Sequence, residues 1–102
     1  MAIRITFDPA KREWTLRERG LDFEKAAEVF AGPTFDQTDD RRDYGETRVV
    51  TAGYLQDRMV IVVWTLREDA RHVISMRKAN EREGARYTKE IAARWQRSEE
   101  GG

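Results

Sequence analysis

The sequence predicts one α+β domain on a mostly antiparallel sheet, with elements in the order β-α-α-β-β-β-β-α. Three observations predict it. Two short segments with helix punctuation fill the first third of the chain. Apolar strand-like runs separated by tight turns then follow without a linker. A capped, charged helix closes the sequence, and no internal repeat interrupts this order. The domain is expected to occupy residues 1–97, with 98–102 a frayed C-terminal tail.

The elements are justified in turn. Ile3-Arg4-Ile5-Thr6-Phe7 alternates apolar and polar residues, the period of a half-buried strand. Asp8-Pro9 starts a helix, because Asp8 accepts from free amides and Pro9 needs no donor at the first helical position. This helix runs from Ala10 to about Arg19, with Trp14 expected in the core, joined by Leu16 or the aliphatic stem of Arg17. Gly20 supplies the left-handed stop. Asp22 caps a second helix whose Phe23, Ala26, Ala27 and Phe30 form an i, i+3, i+4, i+7 stripe, ended by Gly32-Pro33. Thr34 to Thr38 reads as a short edge strand, and Asp39 to Glu46 as a charged loop turning at Gly45. Thr47 to Leu55 is a strand in which Gly53 marks a bulge or a close approach. Met59 to Trp64 is apolar on both faces and therefore central. Its strand ends at Thr65-Leu66-Arg67, and Arg71 to Met76 completes the set. Asn80 and Glu83 form a capping box for the last helix, which buries Tyr87, Ile91 and Trp95. Gly84 inside that helix is expected to permit close packing, since it weakens the helix by ~1 kcal/mol relative to Ala.

Composition narrows the function. With 39% apolar and 37% charged residues, the chain can build one modest core under a heavily charged surface. The 19 basic and 19 acidic residues cancel, which disfavours nucleic-acid binding by bulk charge. The distribution is uneven, however. Residues 64–97 hold nine Lys or Arg against five Asp or Glu, whereas residues 1–63 hold ten against twelve. The second half is therefore read as the anion-facing half, although the asymmetry is small and a solvated helix face would produce much of it. The absence of cysteine excludes disulfides and thiolate metal sites. Phosphate-binding glycine loops and serine-hydrolase signatures are missing, and one histidine cannot build a tetrahedral metal centre. No cofactor is expected. Asp39, Asp40, Asp43 and Glu46 are better read as a solvated loop than as a cation site, because Arg41 and Arg42 lie among them. With no signal peptide and no apolar run long enough to span a bilayer, the cytoplasm is the expected location, without membrane association.

What remains is phosphoester chemistry. Arg67, Arg77 and Lys78, at the exits of two consecutive strands, are expected to gather positive charge in one place, beside a helix bearing Arg82 and Arg86. RNA or another phosphoester is the substrate such a cluster suggests. Internal cleavage by the neighbouring 2′-hydroxyl requires a proton acceptor, a proton donor and cations for the phosphoryl oxygens. Arg67 and Arg77 suit the last task, and Lys11 would add charge or move protons if its pKa were lowered. His72 is the one side chain that ordinarily titrates near neutrality. Tyr87 would donate a proton or stack on a base. Each has a structural alternative: surface charge for the arginines, sheet-edge packing for His72, core packing for Tyr87. Trp64 is read as either core or site wall.

The chain also resembles a known family. Phe7-Asp8-Pro9-Ala10-Lys11, Leu16, Gly20 and Phe23 to Phe30 are similar to the opening of the BrnT toxins, the ribonuclease halves of bacterial BrnT–BrnA type II toxin–antitoxin systems. A second block carries the same likeness: Arg48 to Gly53, Thr65-Leu66-Arg67, Ile74 to Ala79, Arg82-Glu83 and Tyr87. The resemblance implies a RelE-like fold and a metal-independent endoribonuclease that inhibits translation. It further implies neutralisation by a BrnA-like, DNA-binding antitoxin, in an assembly that is often two-plus-two, so that DNA is contacted only through that partner. Lys11, Arg67 and Arg77 fall on charged positions of the family pattern, and Tyr87 on its helical tyrosine. Three positions depart from it: Trp14 stands where Asn is usual, Arg19 where His is usual, and His72 where Arg is usual. The alternative is a catalytically inactive module that grips its antitoxin or the ribosome. A DNA-binding regulator acting alone is disfavoured by the neutral charge and the lack of a convincing helix-turn-helix.

Overall fold

The structure, a computed structural model, describes residues 3–40 and 45–101, with side chains as far as residue 94. Five strands form one sheet: β1 (Ile5–Phe7), β2 (Thr34–Asp39), β3 (Arg48–Leu55), β4 (Arg58–Arg67) and β5 (Ala70–Lys78). Their spatial order is β1-β5-β4-β3-β2, parallel only at β1–β5. The expected α+β order is therefore the observed one. β4 lies at the centre, as its two-sided apolar sequence requires, and residues 59 to 62 are all buried.

Strand alternation sorts residues onto two faces. One face carries Val49, Thr51, Leu55, Val60, Val62, Trp64, Val73 and Met76. It is closed by a 3₁₀ turn (Phe23–Lys25) running into α2 (Ala26–Ala31), with α1 (Pro9–Arg19) along the β5 margin. Leu21, Phe23, Ala26 and Val29 complete this core. Gly53 is a close approach and not a bulge, since a Cβ there would lie 2.6 Å from Val29 Cγ1. The one register shift falls at Val63/Trp64, where Ile74 is the extra residue of β5. Trp64 belongs to this core. Its Nε1 donates to Thr51 Oγ1 at 2.8 Å and its ring meets Phe30 edge-on.

The helix signals hold with adjustments. Asp8 accepts from the amide of Ala10, and Gly20 closes α1 with φ 69°. Asp22 caps the 3₁₀ turn rather than an α-helix, and the same carboxylate binds Arg12 with two bonds of 2.8 and 3.0 Å. Arg12 is the main reason the Asp22 carboxyl is held below its ordinary range. Two burial expectations for α1 are overturned. Trp14 and Leu16 are exposed at 46% and 44%, and Thr15 is the α1 residue that is buried. The helix lies along the sheet margin and so buries only a narrow stripe. In the second helix, Val29 is fully buried, whereas Ala27 and Phe30 are only partly so.

On the other face, α3 (Glu81–Gly101) packs Tyr87 and Ile91 against Ala52, Met59 and Ile61. The capping box forms as read, with Glu83 N–H donating to Asn80 Oδ1 and Asn80 N–H to Glu83 Oε1. Gly84 does not serve close packing, because nothing lies within 4 Å of where its Cβ would be. The expected burial of Trp95 lies outside the described side chains. The backbone is helical as far as Gly101, past the start of the expected fraying.

Candidate active site

α3 covers only part of its face, and the remainder is open. Along β5 this open face presents His72, Ser75 and Arg77, and along β4 it presents Ile61, Val63, Thr65 and Arg67. The shared placement follows from the period of two in each strand.

The expectation that Arg67, Arg77 and Lys78 meet is not fulfilled. β4 and β5 are antiparallel, with Arg67 opposite Ala70 and Arg77 opposite Ile61. Consecutive antiparallel strands exit at opposite ends, so the two arginines share a face but stand roughly 20 Å apart at ~3.3 Å per residue. Lys78, the neighbour of Arg77, points to the other face, where it lines a separate cavity with Leu16, Leu55 and Val60.

Around Arg67 the groups are loosely held. Its guanidinium makes a 3.5 Å contact with Glu46, and both side chains are substantially exposed. Such a pair contributes little and exchanges readily. His72 lies opposite Thr65 on β4 and Thr6 on β1. Its Nδ1 lies 2.9 Å from Thr6 Oγ1, which leaves Nε2 as the nitrogen available to a substrate. The His72 pKa is lowered, first by burial and then by the positive charge of Arg67, with a smaller contribution from Lys11. Glu46 and Asp8 oppose the shift. The structure thus brings His72, Arg67 and Lys11 within electrostatic reach of one another. Burial and the neighbouring cations together favour the neutral imidazole over the imidazolium.

Around Arg77 the groups are locked. Its guanidinium forms a two-pronged bond with Glu83, at 2.7 and 2.6 Å. That pairing is the main cause of a Glu83 pKa lowered to about 2. Tyr87 is buried, donates to Gln37 Oε1 at 3.2 Å and packs against Phe35. Arg77, Glu83, Tyr87, Gln37, Asp39 and Ser75 line an open basin of about 460 Å³. Arg82 and Arg86 project outward from α3, the latter over the Tyr87 ring. Among the described residues no cluster of three His, Asp or Glu side chains could hold a metal. Of the acidic loop, Asp43 lies outside the described residues, as do Arg41 and Arg42. No described helix is long and apolar enough to cross a membrane.

Thr6, Ser75, Gln37 and Glu83 take part in these groupings without having been candidates for the site. Glu83 had a legible signal, its place in the capping box. The others are brought in by strand register and carry no local signature. A family model for the ribonuclease toxin BrnT of type II toxin–antitoxin systems matches residues 7–83. The chain belongs to the BrnT family. The match spans Lys11, Arg67, His72 and Arg77 and stops short of Tyr87. A BrnT toxin of this class acts on RNA and is held by an antitoxin. No curated protein matches the chain.

Proposed function

We propose that this BrnT protein is a metal-independent endoribonuclease that cleaves RNA by attack of the 2′-hydroxyl on the adjacent phosphorus, and that cleavage occurs at the His72 end of the open face. The observation that carries this reading is the placement of His72, held at Nδ1 by Thr6, on the same open face as Arg67 and within electrostatic reach of Lys11. If Nδ1–H donates to Thr6, Nε2 holds the lone pair and accepts the proton of the 2′-hydroxyl. The 2′-oxygen bonds to phosphorus and the 5′-oxygen departs, leaving a 2′,3′-cyclic phosphate. A proton returned from the imidazolium or from Lys11 neutralises the leaving oxygen. Arg67 exchanges its long Glu46 contact for the phosphoryl oxygens, whose charge it stabilises as they become more negative.

Arg77 and Tyr87 bind the adjoining stretch of strand in the basin, the arginine by charge and the tyrosine by its position in the wall. Their engagement with Glu83 and Gln37 favours a binding role over chemistry. Toxicity follows from loss of translatable RNA in the cytoplasm. A DNA-binding antitoxin, in a two-plus-two complex, masks the open face and provides the only link to DNA.

The test is cleavage of end-labelled RNA in excess EDTA by antitoxin-free protein, beside Arg67→Ala and His72→Asn variants of matched fold. Cleavage by the wild type, with loss of at least about 100-fold in both variants, supports the reading. Folded wild type that leaves RNA and ribosome-bound mRNA intact points to the inactive binding module.

A further inference from the structure

We propose that the cleft between α1 and the margin of β5 is a nucleobase subsite, in which the exposed indole of Trp14 stacks a base of the RNA strand that flanks the scissile phosphate. The proposal rests on the ribonuclease reading above and adds to it a residue that sets how flanking nucleotides are held.

β1 pairs with β5 only over residues 71–73, so the margin from Ile74 onward has no neighbouring strand, and α1 runs beside it. The gap between them is a cleft of about 400 Å³, walled by Lys11, Trp14 and Arg19 on the helix and by Ile74 and Ser75 on the strand. Trp14 is 46% exposed, a large flat ring open to solvent rather than a core side chain. The Arg19 guanidinium lies 5.1 Å from the indole centroid, and its Nη1 donates to the Met76 carbonyl at 3.0 Å. This anchor sets a cation and an aromatic ring side by side in one wall, the combination that stacks bases without reading their edges. Among the described residues, the charged side chains lining the cleft are Lys11 and Arg19, with no carboxylate.

Two residues join the cleft to the rest of the open face. Ser75 lines both the cleft and the Arg77 basin, and Lys11 is the cation that also acts on His72. A strand whose phosphate sits at His72 therefore has Trp14 within reach of its next base, with Lys11 beside the intervening backbone. A peptide adding to β5 as a further strand is the less suitable occupant, because Arg19 already takes the Met76 carbonyl that such a strand would need.

The experiment measures binding of a fully 2′-O-methylated RNA octamer of mixed sequence, which lacks the attacking hydroxyl. Its fluorescence anisotropy is followed with antitoxin-free wild type and with Trp14→Ala, Trp14→Leu and Trp14→Phe variants of matched melting temperature. Removal of one stacking platform is expected to weaken binding about ten-fold in the Ala and Leu variants, while Phe stays within about three-fold of wild type. Octamers carrying a single abasic site sharpen the result. At one position the missing base should weaken the wild type but leave Trp14→Leu unchanged. Equal binding by all four proteins, or a deficit in the variants that every abasic octamer preserves in full, overturns the subsite. If the wild type cleaves RNA while those results hold, the subsite alone falls. If it neither binds the octamer nor cleaves RNA, the ribonuclease reading falls with it.

Discussion

The two faces of one sheet carry opposite duties. Alternate residues of the same strands build them, so a single β4 sequence sends Val60, Val62 and Trp64 to one side and Ile61, Val63, Thr65 and Arg67 to the other. The first face is closed by helices and packed until Gly53 is the only residue that fits beneath Val29. The second is closed only where α3 lies and keeps His72, Arg67 and Arg77 in contact with water. Close packing suits the face that must hold its shape. Under the proposed function, a cation such as Arg67 that trades its partner for a phosphate requires the other.

Substitutions on the open face should change activity without changing stability. Arg67→Ala carries the largest expected effect, a loss of about 100-fold or more in RNA cleavage with an unchanged melting temperature, because its present partner is a long, exposed contact. A fall in melting temperature comparable to that of a core variant would place Arg67 among the structural residues instead. His72 makes the same point through pH. Its pKa lies below the ordinary 6.5, so cleavage should rise with pH through a midpoint under 6.5 and then level off. His72→Asn should remove that acid limb.

On the closed face the converse holds. Gly53→Ala should destabilise the domain by about 1–3 kcal/mol, read as a denaturation midpoint, because Val29 is stiff, fully buried and would meet the new methyl at 2.6 Å. An unchanged midpoint would show that α2 yields easily and that the closed face is less rigid than its contacts imply.

The Arg77–Glu83 pair joins the two behaviours. Glu83 titrates near 2 when folded against 4.5 unperturbed. A carboxyl with a lowered folded pKa contributes stability fully present above the unfolded value and lost as pH falls from about 4.5 towards 2. Screening at the half-exposed Arg77 limits this to about 1 kcal/mol. Glu83→Gln should therefore lower stability by that amount at pH 7, with the difference shrinking as pH falls below about 4.5 and vanishing only below about pH 2. The smallest change is expected at Gly84, which is helical and has open space around it. Gly84→Ala should stabilise by about 0.5–1 kcal/mol, measured by thermal melting.

Much of the fold was legible locally. The Asp8-Pro9 start, the Gly20 stop, the Asn80/Glu83 box and the two-sided apolar run of β4 all act within a few residues, where sequence spacing is spatial spacing. The separation of Arg67 from Arg77 went against the expected cluster, because antiparallel neighbours exit at opposite ends. Trp14 was less legible. In a helix this charged, an aromatic ring is as easily placed on an open margin as in a core.

By itself the sequence determined the element order, the caps, the family and the residue types available for phosphate chemistry, since each depends on near neighbours or on motifs. Tertiary structure alone decided which of those residues meet. Thr6 reaches His72 across 66 residues, and Arg19 reaches the Met76 carbonyl across 57. Contacts at that range follow from strand register and from the side on which a helix settles. Both are set by burial summed over the whole sheet rather than by any local pattern.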